Sequence, residues 1–391
     1  MYLGYTQEQE ALRSELREYY EALLTPEVEE ELALSEGIGP LVRAIVRKMG
    51  ADGWLGIGWP KEYGGQGRSA IEQFIFFDES MRSGAPVPML TINTVGPTIM
   101  DFGTDEQKAQ FLPQILAGEI HFCIGYTEPG AGTDLAALST RAVRDGDEYV
   151  INGTKVFTSL AGGADYVWLA ARTDPAAKKH RGISIFAVAM STPGIKVIPM
   201  KLMGSHNINY TLYEDVRVPA TSLVGGENNG WTLITNQLNH ERITLCSPGV
   251  IERALADVLA WAKQEKLSDG RRVVDQEWVQ VNLARIRAEL EFLKLINLKV
   301  AWTATQGRLD VADASSTKVF GTELYLRSIR SLMEVIGQHA YLERGSKGSV
   351  LKGRLENYYR SLVILTFGGG TNEVQRDLIA MFGLGFPRAS R

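Results

Sequence analysis

The chain has 391 residues, 45% of them hydrophobic and 22% charged, which is typical of a globular protein with room for two or three domains. Its formal net charge of -5 at pH 7 gives no overall positive field, which argues against nucleic acid or an anionic membrane as a general partner. Cys123 and Cys246 stand apart from each other and from the five histidines, so we expect a reducing compartment and no structural metal.

The first segment is predicted to be helical. A capping box at Thr6 and Gln9 precedes an apolar face of Leu12, Leu16, Tyr19 and Leu23. Thr104 and Gln107 repeat the capping signal. We therefore assign residues 1–119 to an N-terminal helical domain. Because no basic and apolar leader opens the chain and no apolar run reaches about 18 residues, we expect a cytoplasmic protein without a membrane span.

Residues 120–228 are predicted to form a β domain. Two strands at 148–151 and 155–158 flank Asn152-Gly153, a dipeptide typical of a hairpin turn, and further strands are predicted at 166–171, 183–188 and 210–213. The helical period returns in residues 229–391. Its clearest example is the apolar series Val279, Leu283, Ile286, Leu290 and Leu293, within a run at 275–305 that has no glycine or proline. The order helices, sheet, helices predicts a multi-domain α+β protein.

A glycine-rich run, YTEPGAGTD at residues 126–134, carries the first chemical signal. Its glycines allow backbone N–H groups to approach a ligand closely, and the hydroxyls of Thr127 and Thr133 can donate and accept hydrogen bonds. Such a loop could hold a flavin or a pyrophosphate, but a surface turn before the sheet fits the run equally well when it is taken alone.

The run resembles the flavin-binding loop of the acyl-CoA dehydrogenase family, and other segments agree with that family in order and spacing. They are GWLGI and EYGG within 53–65, GT, EQK and LP within 103–113, NG and KVFTS within 152–159, EDVRVP at 214–219, and GTNEVQR at 370–376. The resemblance covers nearly the whole chain. It implies the acyl-CoA dehydrogenase fold, with an N-terminal helical domain, a middle β-barrel domain and a C-terminal four-helix bundle, and FAD bound without a Rossmann domain.

The resemblance also implies roles for individual positions. The residues that match flavin contacts are Ile124, Tyr126 and Thr127 along the isoalloxazine, Phe157, Thr158 and Ser159 behind the ring, and Thr371 and Glu373 from the C-terminal domain. Gly132 and Thr133 match positions that contact flavin or the pantetheine of CoA. The family often has tryptophan where Phe157 stands, so an aromatic plane for stacking is retained.

Dehydrogenation across the α and β carbons of a CoA thioester needs a carboxylate base. Many family members carry it in a Tyr-Glu-Gly-Thr run, but here the matching stretch reads GGGT at 368–371. The run LNHER at 238–242 resembles the alternative position of the base, which predicts Glu241 as the catalytic residue, with Asn239 and Arg242 as substrate contacts. Gly369 is expected to polarise the thioester carbonyl through its N–H and to leave room for a bulky or branched acyl group. A non-catalytic relative remains the alternative.

Two further family motifs, which complete a neighbouring subunit's FAD site, are altered. An Arg-x-x-Phe-Gly run is replaced by KLSDG at 266–270, and a Gln-x-x-Gly-Gly run by EVIGQ at 334–338, although Arg271 or Arg272 could replace the lost arginine. This pattern resembles the α2β2 steroid-degrading dehydrogenases of actinobacteria. It implies a paralogous partner subunit, a sterol side-chain CoA thioester as substrate, and an electron-transferring flavoprotein as electron acceptor. An acyl-CoA oxidase or flavin monooxygenase remains an alternative activity.

Overall fold

The N-terminal part of the chain is helical. The computed structural model describes residues 4–35, 39–204, 207–241, 246–307 and 310–387, without the side chains at 207 and 238–241. The helices are α1 (Gln7–Leu23), α2 (Pro26–Leu34), α3 (Pro40–Ala51), α4 (Ala70–Ser83), α5 (Gly96–Phe102) and α6 (Asp105–Leu116). Both predicted capping boxes are present, because the hydroxyls of Thr6 and Thr104 accept hydrogen bonds from the N–H groups of Gln9 and Gln107.

The apolar face of α1 differs by one residue from the prediction. Tyr20 is fully buried, whereas Tyr19 is only half-buried. The Tyr19 hydroxyl donates to Asp52 Oδ2 at 2.7 Å, and its ring packs against Trp54. Tyr19 therefore lies at the edge of the core, where an aromatic ring can pack while its hydroxyl stays bonded to a polar partner.

The middle of the chain forms one sheet of mixed strand direction. Its strands are β1 (Phe122–Gly125), β2 (Arg141–Asp145), β3 (Glu148–Thr158), β4 (Tyr166–Arg172), β5 (Ile183–Ala189), β6 (Ile195–Lys201), β7 (Asn207–Pro219) and β8 (Leu223–Val224). The strand order is β6-β7-β3-β2-β4-β5-β8, with β1 parallel to β4. One face shares a core with the N-terminal helices through Phe122 and Trp168, and the other buries Tyr149 and Tyr213. The sheet thus provides a rigid base for the loops at its ends.

The hairpin predicted at Asn152-Gly153 is wrong. Both residues lie inside the continuous strand β3, and the chain turns at Gly146-Asp147 between β2 and β3. β3 pairs with β2 as far as Asn152 and, along its other edge, with β7 from Glu148 to Thr158, with a register irregularity between Ile151 and Gly153. The Asn152 side chain exchanges hydrogen bonds with Asp215 on β7, and a Cβ at Gly153 would come within 2.4 Å of Thr140. The single residue Asn152 faces two residues of β7, Glu214 and Asp215, so the bulge lies in β7, and long-range strand pairing overrides the local turn preference of Asn-Gly.

Helices return after the sheet. They are α7 (Gly230–Glu241), α8 (Gly249–Gln264), α9 (Glu277–Thr305), α10 (Val311–Ile336), α11 (Arg354–Ser361) and α12 (Asn372–Leu378). The predicted apolar face of α9, from Val279 to Leu293, is buried in a second core with α8 and α10. α4 packs against this bundle, while α7 packs on the sheet and the N-terminal helices. Within the described ranges, no helix combines the length and apolar character needed to cross a bilayer.

Candidate active site

The glycine-rich run begins where β1 ends, and it forms a tight turn. The backbones of Glu128 and Ala131 exchange hydrogen bonds of 3.0 and 3.1 Å across Pro129-Gly130. A Cβ at Gly130 would meet no atom within 4 Å, and one at Gly132 would approach only Thr127 Cγ2, at 3.9 Å. The chain's own packing therefore does not require these glycines, and they leave the outer face of the loop open to an approaching ligand.

A buried ion pair connects the glycine-rich loop to strand β3. Lys155 on β3 is fully buried, and its Nζ donates to Glu128 Oε1 at 2.8 Å and to the backbone oxygen of Tyr126 at 3.0 Å. Glu128 also accepts from the backbone N–H groups of Ser139 and Thr140 and from the Ser139 hydroxyl, at 2.7–2.8 Å. These bonds fix the loop to β3, because each of the two buried charges is paired and hydrogen-bonded.

The pKa of Glu128 follows from these contacts. Burial alone would raise it, but the charge of Lys155 and the hydrogen bonds from Lys155, Thr140 and Ser139 outweigh burial and lower the pKa of Glu128 to about 2. Glu128 is therefore ionised throughout the physiological range. Its role in the site is structural, since both of its oxygens are occupied by donors of the chain.

Phe157 stands out on β3 beside the loop. Its backbone is left-handed, with φ +60°, and its side chain is 57% exposed. A left-handed conformation costs a non-glycine residue about 1–2 kcal/mol, and an exposed aromatic ring gains little from the core. The strand register is irregular between Lys155 and Thr158, which turns the ring outward. Such an outward ring beside an open loop suits stacking against a flat ligand.

The residues after Phe157 point in different directions. Thr158 is buried, its hydroxyl lies 3.3 Å from that of Thr211, and its carbonyl accepts from Asn209 Nδ2 at 3.0 Å. Ser159 is exposed. The glycine-rich loop and β3 contact each other next to these residues, because the Val156 N–H donates to the backbone oxygen of Thr127 at 2.9 Å. The structure thus brings the predicted flavin contacts of β1, its following loop and β3 together.

Helix α7 touches the same loop. The phenol of Tyr126 donates to Gln237 Oε1. Glu241 is the last residue of α7, four positions after Gln237. The side chains of Glu241 and Asn239 and the whole of Arg242 lie outside the described residues. Positions i and i+4 share one face of a helix, so position 241 lies one turn beyond Gln237 on the face that meets the loop.

The C-terminal candidates lie at the start of α12, which packs against α10. Gly369 and Gly370 are left-handed, with φ +66° and +91°. Thr371 caps α12 by accepting from the Val374 N–H at 3.2 Å, and Glu373 is exposed. Thr371 is thus partly committed to a structural bond, whereas the Glu373 carboxylate is accessible to solvent.

Comparison with known proteins identifies the fold and the family. Three family models match in succession: acyl-CoA dehydrogenase N-terminal domain at residues 6–119, middle domain at 123–233 and C-terminal domain at 228–384. The chain belongs to the acyl-CoA dehydrogenase family. Members of this family are FAD-dependent oxidoreductases, and the helical, β and helical parts described above are the three domains of their fold.

Individual relatives match this acyl-CoA dehydrogenase over its full length. Acyl-CoA dehydrogenase FadE26 of Mycobacterium tuberculosis is 55% identical, with 100% of both chains covered. Among solved structures, a chain of the ChsE4-ChsE5 complex from Mycobacterium tuberculosis is 56% identical with a TM-score of 0.94, over 100% of both chains. A chain of the structure described as the Tcur3481-Tcur3483 steroid ACAD is 49% identical with a TM-score of 0.94, again over 100% of both chains.

Sequence reasoning missed three contacts that build this site. They are the Lys155–Glu128 ion pair, the Tyr126–Gln237 hydrogen bond, and a contact between the buried Lys318 and the backbone oxygen of Gly370. Lys155 offered one signal, because a lysine next to Val156 and Phe157 in an apolar strand needs a buried partner or an exposed face. The other two join residues more than fifty positions apart, which no local pattern reveals.

Proposed function

We propose that this acyl-CoA dehydrogenase is the FAD-binding, catalytic subunit of a heteromeric enzyme that oxidises a CoA thioester across its α and β carbons. Glu241 takes the α-proton. The FAD that this chain would hold would supply the acceptor, at flavin N5, for the hydride from the β-carbon. The chain's own residues hold the flavin, orient the thioester and keep water away from the carboxylate.

The observation that carries the proposal is the contact between Tyr126 and Gln237. It ties the open loop to α7 one helical turn before Glu241, so the backbone of position 241 lies near the loop and on the same helix face. A base must lie within hydrogen-bond reach of the proton it removes, and this arrangement gives Glu241 that opportunity.

The middle domain fits FAD. Ile124, Tyr126 and Thr127 would lie along the isoalloxazine ring, and Phe157 would stack behind it. That stacking would offset the energetic cost of the left-handed backbone at Phe157. Gly132, Thr133 and Ser159 are exposed beside them, so their backbone and hydroxyl groups can bind the cofactor or pantetheine. Thr158 would act through its backbone, because its side chain is buried. Thr371 and Glu373 would reach the same cofactor from α12.

The substrate is proposed from the glycine run and from a relative. Gly369 has no side chain to occupy the place of the usual glutamate, and its left-handed backbone favours glycine. Its N–H remains able to polarise a thioester carbonyl, and Asn239 and Arg242 would complete the substrate contacts. Since the Tcur3481-Tcur3483 structure is described as a steroid ACAD, we propose the CoA thioester of a steroid side chain.

A paralogous partner is proposed on three grounds. Arg271 and Arg272, the candidates to replace the lost FAD-contacting arginine, are engaged by Asp269 and Asp275 at 2.7 Å within their own loop. Large apolar side chains are exposed along α9, namely Trp278, Val281, Phe292, Leu295 and Trp302. Exposed aromatic and aliphatic side chains grouped along one helix are typical of a subunit interface. The two similar structures, ChsE4-ChsE5 and Tcur3481-Tcur3483, are each described as a pair of different proteins, which favours an α2β2 assembly here.

The test is co-expression with a paralogous subunit, followed by anaerobic titration with a steroid side-chain CoA thioester. We expect two FAD per α2β2 tetramer and bleaching of the flavin absorbance by the thioester. Glu241→Gln should retain FAD but reduce the rate of bleaching by about 10²–10⁴-fold, the usual contribution of a general base. Glu18→Gln, on the exposed side of α1, is the matched control.

Three outcomes would contradict parts of the proposal. Bleaching by Glu241→Gln at the wild-type rate would eliminate Glu241 as the base. A fully active, FAD-loaded homotetramer of this chain alone would eliminate the partner. Stoichiometric hydrogen peroxide, with no electron transfer to an electron-transferring flavoprotein, would identify an oxidase instead of a dehydrogenase.

A further inference from the structure

Lys318 is a buried lysine in the middle of α10. Its side chain is 2% exposed, and the ion pair and loop contacts of the middle domain do not involve it. A buried ammonium group is costly unless its donors are satisfied, so its contacts indicate what it does for the fold.

The ammonium group binds the end of the glycine run. Lys318 Nζ donates to the backbone oxygen of Gly370 and, at 3.1 Å, to Asn372 Oδ1. Asn372 is buried and donates in turn to the hydroxyl of Thr322 at 3.0 Å, one turn further along α10. Glycines have no side chains that could pack against α10. The run Gly368–Gly370 can therefore be fixed to α10 only through its backbone, here by a hydrogen bond to a carbonyl oxygen.

The backbone of the same residue contacts the segment that follows α7. Cys246 is the first described residue after Glu241, and its thiol donates to the backbone oxygen of Lys318 at 3.6 Å. The Cys246 carbonyl accepts from Asn297 Nδ2 on α9 at 3.1 Å. A Cβ at Gly321 would approach Cys246 Cβ to 2.5 Å, so α10 lies directly against this residue.

We infer that Lys318 is a positioning residue, which holds the glycine run in a fixed place relative to Cys246, five positions after Glu241. This inference rests on the proposed function. The α-carbon that loses its proton is bonded directly to the thioester carbonyl carbon, so the N–H of Gly369 and the base must be held in register with each other. Lys318 contacts the glycine run through its ammonium group and Cys246, in the segment that follows α7, through its backbone carbonyl.

The physical reason is the cost of ordering glycine. A run of three glycines loses more backbone freedom than other residues when it becomes ordered, and a charge-assisted hydrogen bond to Gly370 offsets part of that loss. Without the ammonium group, Gly369 would sample positions away from the thioester. A misplacement of about 1 Å can reduce a rate by about 10²-fold.

The test compares Lys318→Met with Lys294→Met in the co-expressed complex. Lys294 is a largely buried lysine on α9 that pairs with Glu252, so its variant also removes a bundle lysine. The probe is the 3-thia analogue of the steroid side-chain CoA thioester, whose α-proton can be removed but which cannot be oxidised. Its enolate is measured by long-wavelength absorbance, its dissociation constant by calorimetry, and kcat and KM with the oxidisable thioester.

For Lys318→Met we expect a fall in kcat of about 10²-fold and at least a tenfold fall in the fraction of analogue present as enolate. KM, FAD content and the dissociation constant should change less than threefold. Lys294→Met should match the wild type in every measurement. Lys318→Gln keeps a neutral donor and gives an intermediate loss, and it is the variant to use if the methionine protein does not fold.

The inference is overturned if the variants at Lys318 form wild-type amounts of enolate, or if they lose FAD in proportion to activity, which would indicate a purely structural role. Failure of the proposed function is recognised separately. In that case the wild-type complex itself would neither deprotonate the analogue nor oxidise the thioester, and the inference would fall with the function.

Discussion

Replacement of Lys155 by methionine is expected to destabilise the middle domain and weaken FAD binding. The change leaves the Glu128 carboxylate buried without its cation and removes the bond to the backbone oxygen of Tyr126. Loss of one partner of a buried pair costs about 3–5 kcal/mol. Glu128 retains three donors from Ser139 and Thr140, so we expect the lower end, about 3 kcal/mol. For a domain of about 100 residues, the size of the middle domain, this lowers Tm by about 12–24 °C.

The assay is thermal unfolding of the apoprotein, with flavin fluorescence as a measure of FAD retention. Lys196→Met is the control, because Lys196 also pairs with a glutamate on a neighbouring strand, Glu214 at 2.7 Å, but both side chains are 61% exposed. An exposed pair contributes about 0–1 kcal/mol. The double variant Glu128→Gln/Lys155→Met should recover part of the loss. Equal melting of the Lys155 and Lys196 variants would refute the reasoning.

The same pair gives a pH dependence of defined sign. The pKa of Glu128 is lowered to about 2, below its unfolded value of about 4.3. The stabilisation from its charge is therefore fully present above the unfolded pKa, and it is lost as pH falls from about 4 to about 2. Unfolding measured across that window should show the loss in the wild type and a flatter curve in Glu128→Gln.

Three further predictions concern single positions. Phe157→Asn should leave the apoprotein as stable as the wild type or more so, since asparagine tolerates φ +60°, while FAD dissociates more readily in a flavin-release assay. Burial raises the pKa of Asp78 on α4 to about 6, so the free energy of unfolding should fall by about 3 kcal/mol as pH rises from about 4 to 6. Asp78→Asn keeps an acceptor for the Ser247 hydroxyl and the Gly249 N–H. It should abolish this pH dependence in urea unfolding. Gly369→Glu should lower kcat/KM selectively for branched or steroidal thioesters, and an equal loss on straight chains would contradict the role of Gly369 in making room.

Features that depend on neighbouring residues in the sequence could be predicted. The capping boxes at Thr6 and Thr104 and the buried face of α9 were confirmed, because a cap involves residues three apart and a helix face repeats every three or four. Asn152-Gly153 was mispredicted, because its pairing with Asp215 on β7 is set 63 residues away. Local preference is a weak guide wherever a strand has a distant partner.

In the candidate site, too, a local feature could be predicted from the sequence, whereas the contacts between distant residues could not. The glycine-rich loop could be found from its sequence, since its glycines and hydroxyls are contiguous. The contacts that hold it could not, because Lys155 reaches Glu128 across 27 residues and Tyr126 reaches Gln237 across 111. Only the folded chain brings these pairs together. The role of Glu241 stays a prediction, supported by the position of its backbone on α7.

The hydrogen bond from Tyr126 to Gln237 also limits how α7 can change during evolution or engineering. Insertion of one residue between Gln237 and Glu241 would rotate position 241 by about 100° around the helix, away from the loop. Insertion of four residues would restore the face but displace that position by about 6 Å. This part of the chain can therefore accept substitutions but not insertions or deletions, and new substrate preferences would have to come from side chains exchanged on a helix of constant length.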